Sequence, residues 1–232
     1  MPTVKLNDIT MYYEIHGAGE PLVLIAGLNS DHKMYRGIFP QLATKYRVIL
    51  FDNRGVGQTD KPDIPYSIEM MAEDTVGLLY ALGITHAHIL GTSMGGRIAV
   101  TLTLKHPELV KSLILVSTAM KMKGIPMTWR RRMLPLMLRI PAIRGPHPYY
   151  AFAHQLQASR NFDYTDRLRE IQVPTLILHG KQDKSAPYWL AEEMHKGING
   201  SKMIAFNGGH LFFILRPQQF VDAIFSFLDA LF

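Results

Sequence analysis

The stretch HAHILGTSMGG, residues 86–96, runs from an apolar, strand-like segment into Gly91-Thr92-Ser93-Met94-Gly95 and then into RIAVTLTLK, which has the composition of a helix. A serine with glycine two positions to either side, set between a strand and a helix, marks a sharp turn that strains the serine backbone. Side chains two residues away would clash in such a turn, and Gly91 and Gly95 leave that space open. The turn lifts the Ser93 hydroxyl clear of the sheet and points the unpaired N–H groups of a helix start at its surroundings. Ser93 is therefore the candidate nucleophile.

Outward from this turn, apolar runs rich in β-branched residues alternate with helical segments, the pattern of a mainly parallel sheet covered by helices on both faces. Strands are expected at 3–6, 11–16, 22–25, 47–51, 86–90, 113–116, 175–179 and 202–205, and helices at 35–44, 68–82, 94–105, 187–196 and 217–230. The first two strands should pair antiparallel at the sheet edge. The alternation breaks once, between Val116 and Thr175, where the chain is Met-rich and carries Pro126, Pro135, Pro141, Pro146 and Pro148. Prolines at that density permit only short helices, so this segment reads as a small cap inserted after strand 6. The expected organisation is a core of residues 1–118 and 171–232 with a helical cap at 119–170.

Composition narrows the chemistry. The chain has 232 residues, 47% of them apolar, which suffices for one domain with a full core. It contains no cysteine, so disulfides, thiolate metal sites and cysteine nucleophiles are excluded. The ten histidines lack the i, i+4 pairing of a helical zinc site, and no metal is expected. Lys5 and Asp8 interrupt any leader-like apolar run, and no apolar stretch is long enough to span a bilayer, so a cytoplasmic protein is expected. The net charge of +6 is concentrated in one place: from Met120 to Glu170 there are ten basic and three acidic residues. Without a nucleic-acid-binding motif, that charge reads as a solvated face or as a weak contact with anionic ligands or an anionic membrane surface, and no nucleic acid is expected as a partner.

A serine hydroxyl needs a base, and the base needs an orienting acid. Asp183 follows the strand TLILH within GKQD, at the carboxyl edge where open α/β sheets collect their sites. His210 closes the loop NGGH after the last strand and reaches the same edge. Asp183 is the candidate acid and His210 the candidate base. His179 and His106 read as packing or helix-end residues, and Asp52 and Arg54 as shaping their loop.

With PLVLIAG, DNRGVGQTDKP, GTSMGG, LHGKQDKSAP and FNGGH in this order, the chain resembles the α/β-hydrolase family over nearly its whole length outside the cap. The resemblance implies an eight-stranded, mostly parallel sheet and a Ser93, Asp183, His210 triad. It also implies oxyanion donors from the backbone N–H groups of Leu28 and Met94. Ser117 stands where some members place an alternative acid, which supports Asp183. Many members carry His-Gly where this chain has Ala26-Gly27, and the segment LVLIAGLNSDHKMY is similar in spacing to the corresponding loop of enol-lactonases. The implied reaction is cofactor-free hydrolysis of a small-molecule carboxylic ester through an acyl-enzyme. Enol-lactone opening, carbon–carbon bond hydrolysis and a weakly catalytic ligand-binding receptor stay open as alternatives. The expected substrate pocket comprises Asn29, Met120, Met122, Trp129, Met133, Phe152 and Phe212.

Overall fold

A computed structural model describes residues 2–121 and 147–231. Eight strands, β1 (Thr3–Lys5), β2 (Thr10–His16), β3 (Pro21–Ile25), β4 (Arg47–Phe51), β5 (Ala87–Thr92), β6 (Val110–Val116), β7 (Thr175–Gly180) and β8 (Lys202–Phe206), form one sheet in the order β1-β2-β4-β3-β5-β6-β7-β8. β1 and β2 are antiparallel to each other and β2 is antiparallel to β4, while β3 to β8 run parallel. Because strand side chains alternate between two faces that are both covered, the middle positions of the central strands are apolar on each face. Val23 and Ile25 enter the core on one face, while Leu22 and Leu24 enter the other.

The first face is covered by α2 (Ile68–Ala81), α3 (Met94–Lys105) and α5 (Tyr188–Gly197), the second by α1 (Phe39–Leu42) and α7 (Pro217–Asp229). Of two further helices, α4 (Tyr149–Arg160) falls within the segment expected as a helical cap, and α6 (Phe212–Leu215) is a single turn that the sequence pattern does not mark. α4 begins directly after Pro148, and the chain from Tyr149 to Val173 is free of proline, so a three-turn helix can form there. The helix expected at 35–44 is instead a 3₁₀ turn (His32–Tyr35) followed by the single turn of α1. Pro40 has no N–H to give Arg36 and its ring would collide with that carbonyl, so a continuous helix cannot pass through it.

α4 is fastened to the core at both ends. Arg97 of α3 is buried and donates through Nε to Ala119 O and through Nη1 to Ser159 O, both at 2.8 Å. Toward the other end, Tyr150 Oη donates to Lys61 O at 2.9 Å and His154 Nε2 lies 2.8 Å from Asp63 Oδ1. Among the described residues, no helix is long and apolar enough to cross a membrane.

Candidate active site

The chain leaves β5 and enters α3 with Ser93 at φ 56° and ψ −116°, a left-handed conformation that L-residues rarely adopt. Close packing holds it there. A Cβ on Gly91 would overlap Gly95 O, one on Gly95 would overlap Ile25 O, and one on Gly96 would come within 2.6 Å of Thr118. Ser93 N donates to Val116 O at 2.9 Å and its carbonyl accepts from Thr118 Oγ1 at 2.6 Å, so the strained residue is anchored to β6 and to the loop after it.

The loops after β7 and β8 lie directly on each other. Lys181 N donates to Phe206 O and Gln182 N to Gly208 O, both at 2.9 Å, and a Cβ on Gly180 would meet the carbonyls of Gly208 and Gly209. This contact brings Asp183 and His210 together. Asp183 Oδ1 accepts from the N–H groups of Ser185 (2.7 Å) and Ala186 (2.9 Å), which leaves Oδ2 facing His210 Nδ1 at 2.7 Å. His210 Nε2 lies 3.0 Å from Ser93 Oγ. The Asp183 side chain is fully buried and that of His210 is 24% exposed, so Asp183 is shielded while His210 and the half-buried Ser93 stay reachable. With Nδ1–H donated to the carboxylate, Nε2 is left as the acceptor for the serine proton.

A second Ser-His-acid array shows that composition alone does not make such a site. At the opposite end of the sheet, His88 Nδ1 lies 2.8 Å from Ser112 Oγ and Nε2 lies 3.0 Å from Glu20 Oε2. Ser112 is fully buried on β6, and no substrate carbonyl can reach it.

Opposite His210, the loop after β3 closes a turn in which Ser30 N donates to Gly27 O at 3.2 Å, with Asn29 at φ 57°. Gly27 packs against Ser93: a Cβ on Gly27 would lie 3.3 Å from the serine Cβ. The N–H groups of Leu28 in this turn and of Met94 at the start of α3 have no hydrogen-bond partner among the described residues. The end of β3 is itself held by Tyr35 Oη, which donates to Ile25 O at 2.8 Å and contacts Thr92 Oγ1 at 2.9 Å, and by Asn53 Nδ2, which donates to Ala26 O at 3.1 Å. Asp52, fully buried, accepts from the N–H and Nδ1 of His32 and from Gln58 N, tying the loop after β3 to the loop after β4.

Of the expected pocket residues, Asn29 lies in the Gly27–Ser30 turn, and Met120 is buried in the same apolar cluster as Met94, a cluster that Leu28 packs against. Phe152 is buried in α4. Phe212 is not brought to the site: its ring stacks on Phe206 at 4.5 Å and meets Phe220 edge-on in the core of the second face. Met122, Trp129 and Met133 lie outside the described residues.

Two residues of the site had been passed over in the sequence. His179, read as packing, has Nε2 2.7 Å from Ala186 O and 3.4 Å from Asp183 Oδ2, and burial pulls its pKa below the ordinary histidine value despite the nearby carboxylate. Its place four residues before the acid was the available signal. Gln155 of α4 is fully buried and reaches the Gly27–Ser30 turn, and nothing in the local sequence marks it.

The sequence pattern of the alpha/beta hydrolase fold matches residues 20–141, and that of TAP-like proteins matches residues 152–230. A candidate carbamate hydrolase, RutD of Azorhizobium caulinodans, is 29% identical, with 98% of each chain covered. An esterase from Exiguobacterium antarcticum superposes with a TM-score of 0.85 at 28% identity, covering 95% of this chain and 96% of its own. The enol-lactonase of Burkholderia xenovorans LB400 superposes with a TM-score of 0.87 at 24% identity, covering 98% of this chain and all of its own, a likeness of fold.

Proposed function

Because the chain belongs to the alpha/beta hydrolase family, we propose that it is a serine esterase that cleaves carboxylic esters through an acyl-enzyme on Ser93. The observation that carries this reading is the continuous array from buried Asp183 through His210 to Ser93 Oγ, with links of 2.7 and 3.0 Å, ending on a strained turn open to substrate. Ser93 Oγ attacks the ester carbonyl while His210 Nε2 takes its proton. The carbonyl oxygen becomes an oxyanion, and the N–H groups of Leu28 and Met94 stabilise it. His210 then returns the proton to the departing alkoxide, and the alcohol leaves. In the second half, His210 draws a proton from water, the hydroxide attacks the acyl carbonyl, and Ser93 is regenerated as the acid departs. Asp183 keeps its charge throughout, fixing the tautomer of His210 and stabilising the imidazolium. Residues 119–170 act as a cap over a core of residues 1–118 and 171–232, with Met120 and Phe152 contributing apolar surface to the pocket.

The same geometry accepts a carbamate or lactone carbonyl, which the likeness to the candidate carbamate hydrolase keeps relevant. The test is turnover of p-nitrophenyl esters of graded length, a p-nitrophenyl carbamate and a small lactone, together with labelling by a serine-directed fluorophosphonate. The esterase reading requires that esters be the best substrates, that one fluorophosphonate attach at Ser93, and that Ser93→Ala lose activity roughly 10³-fold or more. Faster turnover of the carbamate or lactone reassigns the substrate. Stoichiometric labelling with no turnover makes the protein a ligand-binding member, and labelling elsewhere refutes the site.

A further inference from the structure

Gln155 is fully buried in α4, and both halves of its amide are engaged with backbone groups far away in sequence. Oε1 accepts from Asn29 N–H at 2.9 Å, and Nε2 donates to Arg54 O at 2.8 Å. The Asn29 N–H belongs to the central peptide of the Gly27–Ser30 turn, whose orientation separates a type I turn from a type II turn. Asn29, at φ 57° in the third position, has the left-handed conformation that type II demands, and the acceptor from Gln155 holds the central peptide accordingly. The preceding peptide contains Gly27 C=O and Leu28 N–H, which point in opposite directions because the peptide is planar and trans. Holding Gly27 O inside the turn, bonded to Ser30 N–H, therefore turns Leu28 N–H outward.

α4 is a firm support for this arm, since Arg97 binds the carbonyl near one end while Tyr150 and His154 bind the loop at 61–63 toward the other. We infer that Gln155 is a positioning residue that transmits the rigidity of α4 into the Gly27–Ser30 turn and so aims the Leu28 N–H at the oxyanion. The inference rests on the reading of Leu28 as an oxyanion donor. It makes the cap part of the catalytic apparatus in addition to a wall of the pocket: a displacement of α4 loosens transition-state stabilisation without touching Ser93, His210 or Asp183.

A purely structural amide would affect every ligand alike, so the test compares two ligands. A trifluoromethyl ketone adds to Ser93 and places an oxyanion where the transition state has one, whereas the carboxylic acid product of the best ester substrate binds without forming that centre. Gln155→Met, similar in length but with neither acceptor nor donor, should lower kcat/KM and the ketone affinity by the same factor, roughly 10- to 100-fold, below the loss expected from deleting a donor outright. Affinity for the product acid should change less than twofold. Gln155→Glu, which keeps an acceptor for Asn29 N–H, should recover a substantial part of the loss. Should Gln155→Met fail to fold, Gln155→Asn, one methylene short of the turn, provides the same comparison. Equal losses for ketone and acid, an unchanged kcat/KM in a folded variant, or no recovery with glutamate overturns the inference. If the wild-type protein turns over no ester, the rate at which a fluorophosphonate labels Ser93 replaces kcat/KM. A wild type that is not labelled refutes the esterase reading itself, whereas equal labelling rates in wild type and Gln155→Met overturn the role of Gln155 alone.

Discussion

Replacing Ser93 with glycine should make the fold more stable while removing its chemistry. The residue sits at φ 56° and ψ −116°, close to the first central position of a type II′ turn, where glycine dominates. Holding a side-chain-bearing residue in such a sparsely populated region costs about 1–3 kcal/mol. Glycine avoids that strain but brings extra freedom to the unfolded chain, which costs about 0.5–1 kcal/mol relative to alanine. The informative comparison is between Ser93→Gly and Ser93→Ala. Both lose the hydroxyl and its contact with His210, so their difference isolates the backbone. The glycine variant should be the more stable by about 1 kcal/mol, the difference of the two terms. In a chain of 232 residues this corresponds to a Tm higher by about 2–4 °C. Urea unfolding followed by circular dichroism, analysed with a shared slope, and a thermal melt would measure it. Ester hydrolysis should fall by about 10³-fold or more in both. An alanine variant as stable as the glycine variant, or more so, would refute the view that the turn stores strain at the nucleophile.

Asp183→Asn should slow turnover by roughly 10³- to 10⁴-fold with little change in KM. The two backbone N–H groups at Ser185 and Ala186 keep an oxygen on their side, so the new NH₂ faces His210 Nδ1 and forces the proton onto Nε2, where it blocks acceptance from Ser93. A variant that retains most of its kcat would show that another group orients the histidine. Stability should also decline as the solution is acidified from neutrality. Burial lowers the pKa of His88 and of His179 in the fold, outweighing Glu20 at the first and the Ala186 carbonyl and Asp183 at the second. Below the ordinary histidine value of about 6.5 the unfolded chain therefore binds protons that the folded chain does not, and stability falls by up to about 1.4 kcal/mol per pH unit for each histidine. A urea midpoint unchanged between pH 7 and pH 5.5 would contradict this.

The sheet, and the three residues proposed as a triad, were legible because each is written locally. Strand segments such as 22–25 and 176–178 are apolar at every position because helices cover both faces, and a run of that kind is visible without knowing its neighbours. Ser93 is marked by glycines two residues away, since the turn excludes any Cβ there, and Asp183 and His210 each end a loop directly after a strand. Other features depend on contacts that no window of sequence contains. Gln155 reaches a turn 126 residues earlier, and an isolated glutamine carries no periodicity or spacing to announce it. His179 is the buried strand-end residue that its position implies, but only the fold shows that its ring lies against Asp183 and the Ala186 carbonyl. Phe212 follows the His210 loop closely enough to suggest pocket lining, yet the single turn of α6 rotates its ring down onto Phe206 and Phe220. Sequence pattern determines which face of an element is apolar and where backbone geometry demands glycine. Which distant polar group meets which backbone N–H, and where a side chain just beyond a loop points, is decided only when the two faces of the sheet and α4 are packed together.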